Sequence, residues 1–192
     1  MFRMSSDTYR YYLRGEHYDW TKDPRGLENL FHRLRSRIFN KCTSLPLLDL
    51  GCGTGLVSRQ FPRVLGVDIN RWNLLRAQCD ARIQSTAEHL PVRTGSFKVI
   101  LCTEMLEHVD SPEKVLREVL RVLVPGGRLY GSVPSDSLLW KLRRFLSVTH
   151  PHTEPFHHNY SRKDIRRMLS AFANVRVRYA NLGMIIAFQA DN

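Results

Sequence analysis

The stretch that decides the fold is LLDLGCGTG, Leu47–Gly55. An apolar run carries an acid, Asp49, and glycines then recur at alternate positions as Gly51, Gly53 and Gly55, with Cys52 between the first two. Glycine accepts positive φ and lets another molecule approach the main chain closely, so the pattern reads as a strand running into a ligand-binding turn. Two phosphate loops are excluded by spacing. Gly-x-Gly-x-x-Gly would require glycine at 56, where the chain has Leu56, and no Gly-x-x-x-x-Gly-Lys occurs.

Outward from this loop, short apolar runs alternate with helical ones. Strands are expected at Pro46–Leu50, Val64–Val67, Val99–Cys102, Arg128–Val133, Val175–Tyr179 and Met184–Phe188. Ser111-Pro112 opens a helix whose apolar face is Val115, Leu116, Val119, Leu120 and Leu123, closed by Pro125-Gly126-Gly127. Upstream, Asp23-Pro24 opens a helix with Leu27, Leu30, Phe31, Leu34 and Ile38 on one face; downstream, Ser161 and Asp164 form the pattern of a capping box. Strands alternating with helices predict an α/β fold, a Rossmann-like doubly wound and mostly parallel sheet that binds ligands at the carboxyl ends of its strands. The Ala180–Gly183 link is too short for a parallel crossover, so the last two strands should form an antiparallel hairpin.

The 192 residues, 43% hydrophobic and 24% charged, suit one globular domain and exclude wholesale disorder. No apolar run approaches the roughly 18 residues of a membrane span, and no secretory signal is recognised, so a cytoplasmic location is expected. Cys42, Cys52, Cys79 and Cys102 are too far apart for a Cys-x-x-Cys metal site and are expected as reduced, mostly buried thiols. The net charge of +11 sits mainly in the flanks: nine basic against five acidic residues over 1–44, and nine against four over 135–192. With arginine dominating, phosphate-bearing partners such as RNA stand beside the plainer reading of a solvated basic surface. The oligomeric state is not legible. We expect a single domain over 1–192, with an N-terminal helical lid (1–44), a cofactor-binding core (45–134), a substrate-side insertion (135–160) and a C-terminal helix and hairpin (161–192).

A glycine turn without a pyrophosphate signature suits S-adenosyl-L-methionine, whose amino-acid end and sulfonium can lie across such a loop near a carboxylate. Nineteen residues after Asp49, LGVDIN places Asp68 at the end of the second strand, where it can accept both hydroxyls of an adenosine ribose. In this order and spacing, from about Leu45 to Val133, the chain resembles class I S-adenosylmethionine-dependent methyltransferases, particularly the small UbiE/ubiquinone-type group. AEHLP (Ala87–Pro91) resembles that family's adenine-side segment, SFKVILCTEMLEHV its fourth strand and following motif, and LVPGGRLYGSVP its fifth-strand motif. The resemblance implies strand order 3-2-1-4-5-7-6 with strand 7 antiparallel. It also implies cofactor contacts at Asp49, Gly51, Cys52, Gly53, Gly55, Asp68, Ile69, Thr86, Ala87, Glu88, Cys102 and Thr103. Thr86 stands where the family usually has an aspartate for the adenine amino group, and Leu74 is expected to sandwich the ring with Ile69.

After the fourth strand, Cys102-Thr103-Glu104-Met105 lacks the Asn/Asp-Pro-Pro-aromatic signature of amide and amine methylation, and no Pro-Cys dipeptide supports base C5 methylation. An oxygen of a small or lipid-like molecule is therefore the leading acceptor, with His108 as the catalytic candidate, a general base or pocket residue. The alternatives are 2'-O methylation of RNA and a non-catalytic S-adenosylmethionine-binding partner module. Glu104, Glu107 and His108, read as one face of a helical turn, offer a divalent-metal set with His157 or His158 completing it, against the plainer reading in which no metal is held.

Overall fold

The computed structural model describes residues 7–13, 33–39, 46–140 and 158–192. Seven strands form one sheet: β1 (Leu47–Leu50), β2 (Val64–Asp68), β3 (Ala81–Gln84), β4 (Phe97–Thr103), β5 (Leu123–Pro134), β6 (Ala173–Ala180) and β7 (Ile185–Asp191), in the order β3-β2-β1-β4-β5-β7-β6. β1 pairs in parallel with β2 and β4, β2 with β3, and β4 with β5. β7 runs antiparallel to both β5 and β6. The expected order, the antiparallel last strand and the terminal hairpin are therefore all present.

Burial explains why these segments are strands. Leu47, Leu48, Leu50, Ile100, Leu101 and Leu129 are fully enclosed, as strands covered on both faces require. The residue pattern passed over β3, whose Ala81, Arg82 and Gln84 are exposed: an edge strand leaves no buried alternation to read. β5 also begins earlier than expected, taking in Leu123–Gly127, and its pairing with β4 slips between Phe97 and Val99 where that segment joins.

The helices are α1 (Asp7–Leu13), α2 (33–38), α3 (Arg71–Arg76), α4 (Pro112–Val122) and α5 (Arg162–Met168). α4 begins at Pro112 as expected and buries Val115, Leu116, Val119 and Val122, while Leu120 is only partly covered. The capping box of α5 is present, with Asp164 N–H donating to Ser161 Oγ at 3.2 Å and Ser161 N–H to Asp164 Oδ2 at 3.0 Å. The start of the helix expected after Asp23-Pro24 lies outside the described residues, as do Cys42 and residues 141–157 of the insertion. The insertion's two ends meet: Ser135 bridges Tyr160, and Asp136 N–H donates to the Tyr160 carbonyl. Among the described residues no helix is long and apolar enough to cross a membrane.

Candidate active site

The glycine loop forms at the carboxyl end of β1, between β2 and β4, and its three glycines answer different demands. Gly51, at φ +70°, lies where a Cβ would overlap the Met105 side chain. Gly55, at φ +80°, lies where a Cβ would sit 2.7 Å from the main-chain nitrogen of Gln78. Gly53, at φ +52°, faces open space, with nothing within 4 Å of a Cβ. Two glycines are therefore packed by the protein and one borders open space.

Two carboxylates overlook this loop. Asp68 accepts Gly53 N–H at 2.7 Å on Oδ2 and Asn70 N–H at 2.8 Å on Oδ1, so it shapes the loop. Asp49 is 1% exposed, and its buried Oδ1 has no hydrogen-bond donor among the described residues. Burial pushes its carboxyl up to about 7, with the nearby Asp68 charge adding to the rise and a Ser58 hydrogen bond opposing it. Neighbouring acids whose charges repel one another suit a cationic ligand, and S-adenosylmethionine carries a sulfonium and an ammonium. The open space at Gly53 and the unsatisfied Asp49 oxygen fit that cofactor.

The other expected contacts divide by exposure. Ile69, Thr86, Ala87, Glu88 and Thr103 are half-buried. Ser85 N–H donates to the Asp68 carbonyl at 3.1 Å and so brings the Thr86–Glu88 turn beside β2. Glu118 of α4 pins the same segment by accepting from Leu90 N–H at 2.9 Å, and burial raises the Glu88 carboxyl. Cys52 and Cys102 place their side chains in the interior, Cys102 wholly so with its thiol pushed well up by burial. Leu74 is 6% exposed and packs with Cys52 and Ala77. The described cysteines, Cys52, Cys79 and Cys102, are free thiols as expected.

At the end of β4 the chain turns sharply. Glu104 takes φ +50°, its N–H donates to the Ser132 carbonyl at 2.8 Å, and its Oε1 accepts from Ser132 Oγ at 2.7 Å. Leu106–His108 then form a 3-10 turn, which corrects the helical turn inferred from spacing. Glu104 is drawn toward β5, and among the described residues no three of His, Cys, Asp and Glu gather as a metal-holding group. The proposed metal set of Glu104, Glu107 and His108 therefore does not assemble. His158 does approach, through N–H donation to the Glu107 carbonyl at 3.1 Å, while His157 lies outside the described residues.

Glu107 is 1% exposed and its Oε1 lies 3.8 Å from Nε2 of His108, whose Nδ1 meets the Tyr12 hydroxyl at 2.7 Å. The Tyr12 carbonyl accepts from Asn70 Nδ2 at 2.7 Å. Neither Tyr12 nor Asn70 emerged from the sequence as a site residue. Asn70 carried a readable sign, a helix-capping asparagine just after Asp68, since its Oδ1 accepts from Asn73 N–H at 3.0 Å. Tyr12 carried none beyond its place in an aromatic-rich segment.

A parallel sheet of this order, with a glycine loop and acid at β1 and a second acid at β2, defines a nucleoside-binding α/β enzyme core. Residues 14–174 match the family model described as methyltransferase domain, and the chain belongs to that family as an S-adenosylmethionine-dependent enzyme of class I. A ubiquinone biosynthesis O-methyltransferase of Xanthomonas oryzae pv. oryzae is 37% identical over 98 residues, covering 44% of this chain and 41% of that protein. The enzyme of the same description from Xylella fastidiosa is 35% identical over 135 residues, 60% of this chain and 55% of its own. The matches thus span about half the length of these relatives. Among solved structures, an S-adenosylmethionine-dependent methyltransferase from Archaeoglobus fulgidus superposes with a TM-score of 0.68 at 15% identity, over 87% of this chain and 95% of that one. One from Thermotoga maritima gives 0.67 at 19% identity, over 84% and 91%.

Proposed function

We propose that the protein methylates an oxygen of a small or lipid-like hydroxylated molecule, with His108 receiving the acceptor's proton. The observation that carries this reading is the imidazole between a hydroxyl and a buried carboxylate, with Nδ1 at 2.7 Å from the Tyr12 phenol and Nε2 at 3.8 Å from Glu107. A carboxylate at that distance stabilises the imidazolium that proton transfer would create. The O-methyltransferase relatives support oxygen as the acceptor atom.

When bound, S-adenosylmethionine would supply an electrophilic methyl group on sulfur. Gly51–Gly55, Asp49 and Asp68 would hold its amino-acid and ribose ends, Ile69 and Thr86–Glu88 would flank the adenine, and Thr103 and the Cys102 main chain would line the way to the acceptor. In this reading 1–44 serve as the lid, 45–134 as the cofactor core and 135–160 as the acceptor side. The ubiquinone biosynthesis O-methyltransferase relatives favour a small acceptor over RNA.

The test uses methyl-labelled S-adenosylmethionine with catechol and an alkyl-tailed catechol as acceptor probes. Label should appear as a methyl ether, and His108→Gln should lower kcat by about 100-fold, the scale of general-base catalysis. Label on nitrogen or carbon, or full turnover by the variant, rejects the assignment.

A further inference from the structure

One residue fastens the N-terminal helix at two points. The Tyr12 carbonyl is held by Asn70, which follows β2, and the Tyr12 hydroxyl by His108, which follows β4. β1 lies between those two strands, so a helix tied to both crosses the mouth of β1, where Gly51–Gly55 form the loop.

The Asn70 tie has a fixed orientation. Asn70 is 2% exposed; its Oδ1 is committed to capping α3, so Nδ2 is the group left to donate to Tyr12, and its own N–H is anchored on Asp68. On the other bank Nδ1 of His108 meets the Tyr12 phenol at 2.7 Å, while Nε2 lies 3.8 Å from the Glu107 carboxylate. The two rings lie 5.2 Å apart between centroids with planes inclined by 57°.

We propose that Tyr12 is a positioning residue for methyl transfer: it latches α1 across the cofactor cleft through His108, so that cofactor and imidazole are held in one closed arrangement. The proposal rests on the cleft as the S-adenosylmethionine site and is independent of whether His108 acts as the base. A single hydroxyl-to-imidazole bond of ordinary net strength corresponds to about a three- to tenfold effect on an equilibrium or on release.

The experiment measures the dissociation rate of S-adenosylhomocysteine, the demethylated product, from the wild type, Tyr12→Phe, His108→Ala and the double variant. Tyr12→Phe keeps the ring and the carbonyl tie and removes only the hydroxyl. Each single variant should release the product about three- to tenfold faster, and the double variant no faster than His108→Ala alone, because the two side chains act through one bond. Amide exchange over Asp7–Leu13 should rise in both single variants. Release by Tyr12→Phe at the wild-type rate, or fully additive effects in the double variant, overturns the latch. Failure of the wild type to bind S-adenosylhomocysteine would instead reject the assignment of the cleft.

Discussion

The carboxylate of Asp68 and the main-chain N–H of Gly53 are joined at 2.7 Å, which makes the acid that ends β2 a structural part of the glycine loop. Its other oxygen holds Asn70 N–H, so one side chain sets the geometry of both walls of the proposed cofactor cleft. Asp68→Ala should therefore weaken S-adenosylmethionine binding by roughly 2–4 kcal/mol, through lost contacts to the ligand and a loop no longer held open. Asp68→Asn keeps the shape but sets an amide NH2 against one of the two N–H donors, so its affinity should also fall below that of the wild type. Calorimetric titration of the three proteins checks both losses.

The glycines of the loop should separate folding from binding. Gly53→Ala places a methyl group in open space at positive φ, a strain of about 1–2 kcal/mol, so Tm should fall by only a few degrees while cofactor affinity drops sharply. Gly51→Ala adds overlap with Met105 to a comparable strain, so its Tm loss should be at least twice as large. Thermal unfolding beside calorimetry distinguishes the pair; equal Tm losses would mean that Met105 yields easily.

Asp49 predicts a pH dependence with a definite sign. Burial raises its carboxyl from 3.8 to about 7, so between these values the unfolded chain is ionised while the folded one holds its proton. This contribution to stability is fully present below pH 3.8 and is lost as pH rises toward 7, a change of roughly 4 kcal/mol. Asp49→Asn removes the titration, so the difference in Tm between variant and wild type should grow in the variant's favour from pH 4 to pH 8. A cationic cofactor favours the carboxylate form, so binding near pH 7 should release protons from the wild type and fewer from the variant. Calorimetry in two buffers of different ionisation heat measures that release.

Glu104 accepts from Ser132 Oγ at 2.7 Å and is turned away from a shared site with Glu107 and His108. Because an amide oxygen accepts the same bond, Glu104→Gln should retain at least half of wild-type turnover on the catechol probes, and a chelator should leave turnover unchanged. Loss of activity in both experiments would restore the metal reading.

Local chemistry carried much of this molecule in its sequence. Leu47–Gly55 specified a strand, a positive-φ loop and an adjoining acid, and the alternation of buried strands with α4 implied the parallel sheet, because hydrophobic burial and glycine torsion are properties of neighbouring residues. The Ser161–Asp164 cap was equally local. Tertiary structure decided what depends on residues distant in the chain. β3 is held by its pairing with β2 rather than by an apolar pattern of its own. The spacing of Glu104, Glu107 and His108 suggested one face, but a left-handed residue and a bond to Ser132 took Glu104 elsewhere. Tyr12 and His108, 96 positions apart, meet only because the sheet places β2 and β4 on either side of β1. No periodicity encodes such a contact, since its energy arises only after the strands have paired.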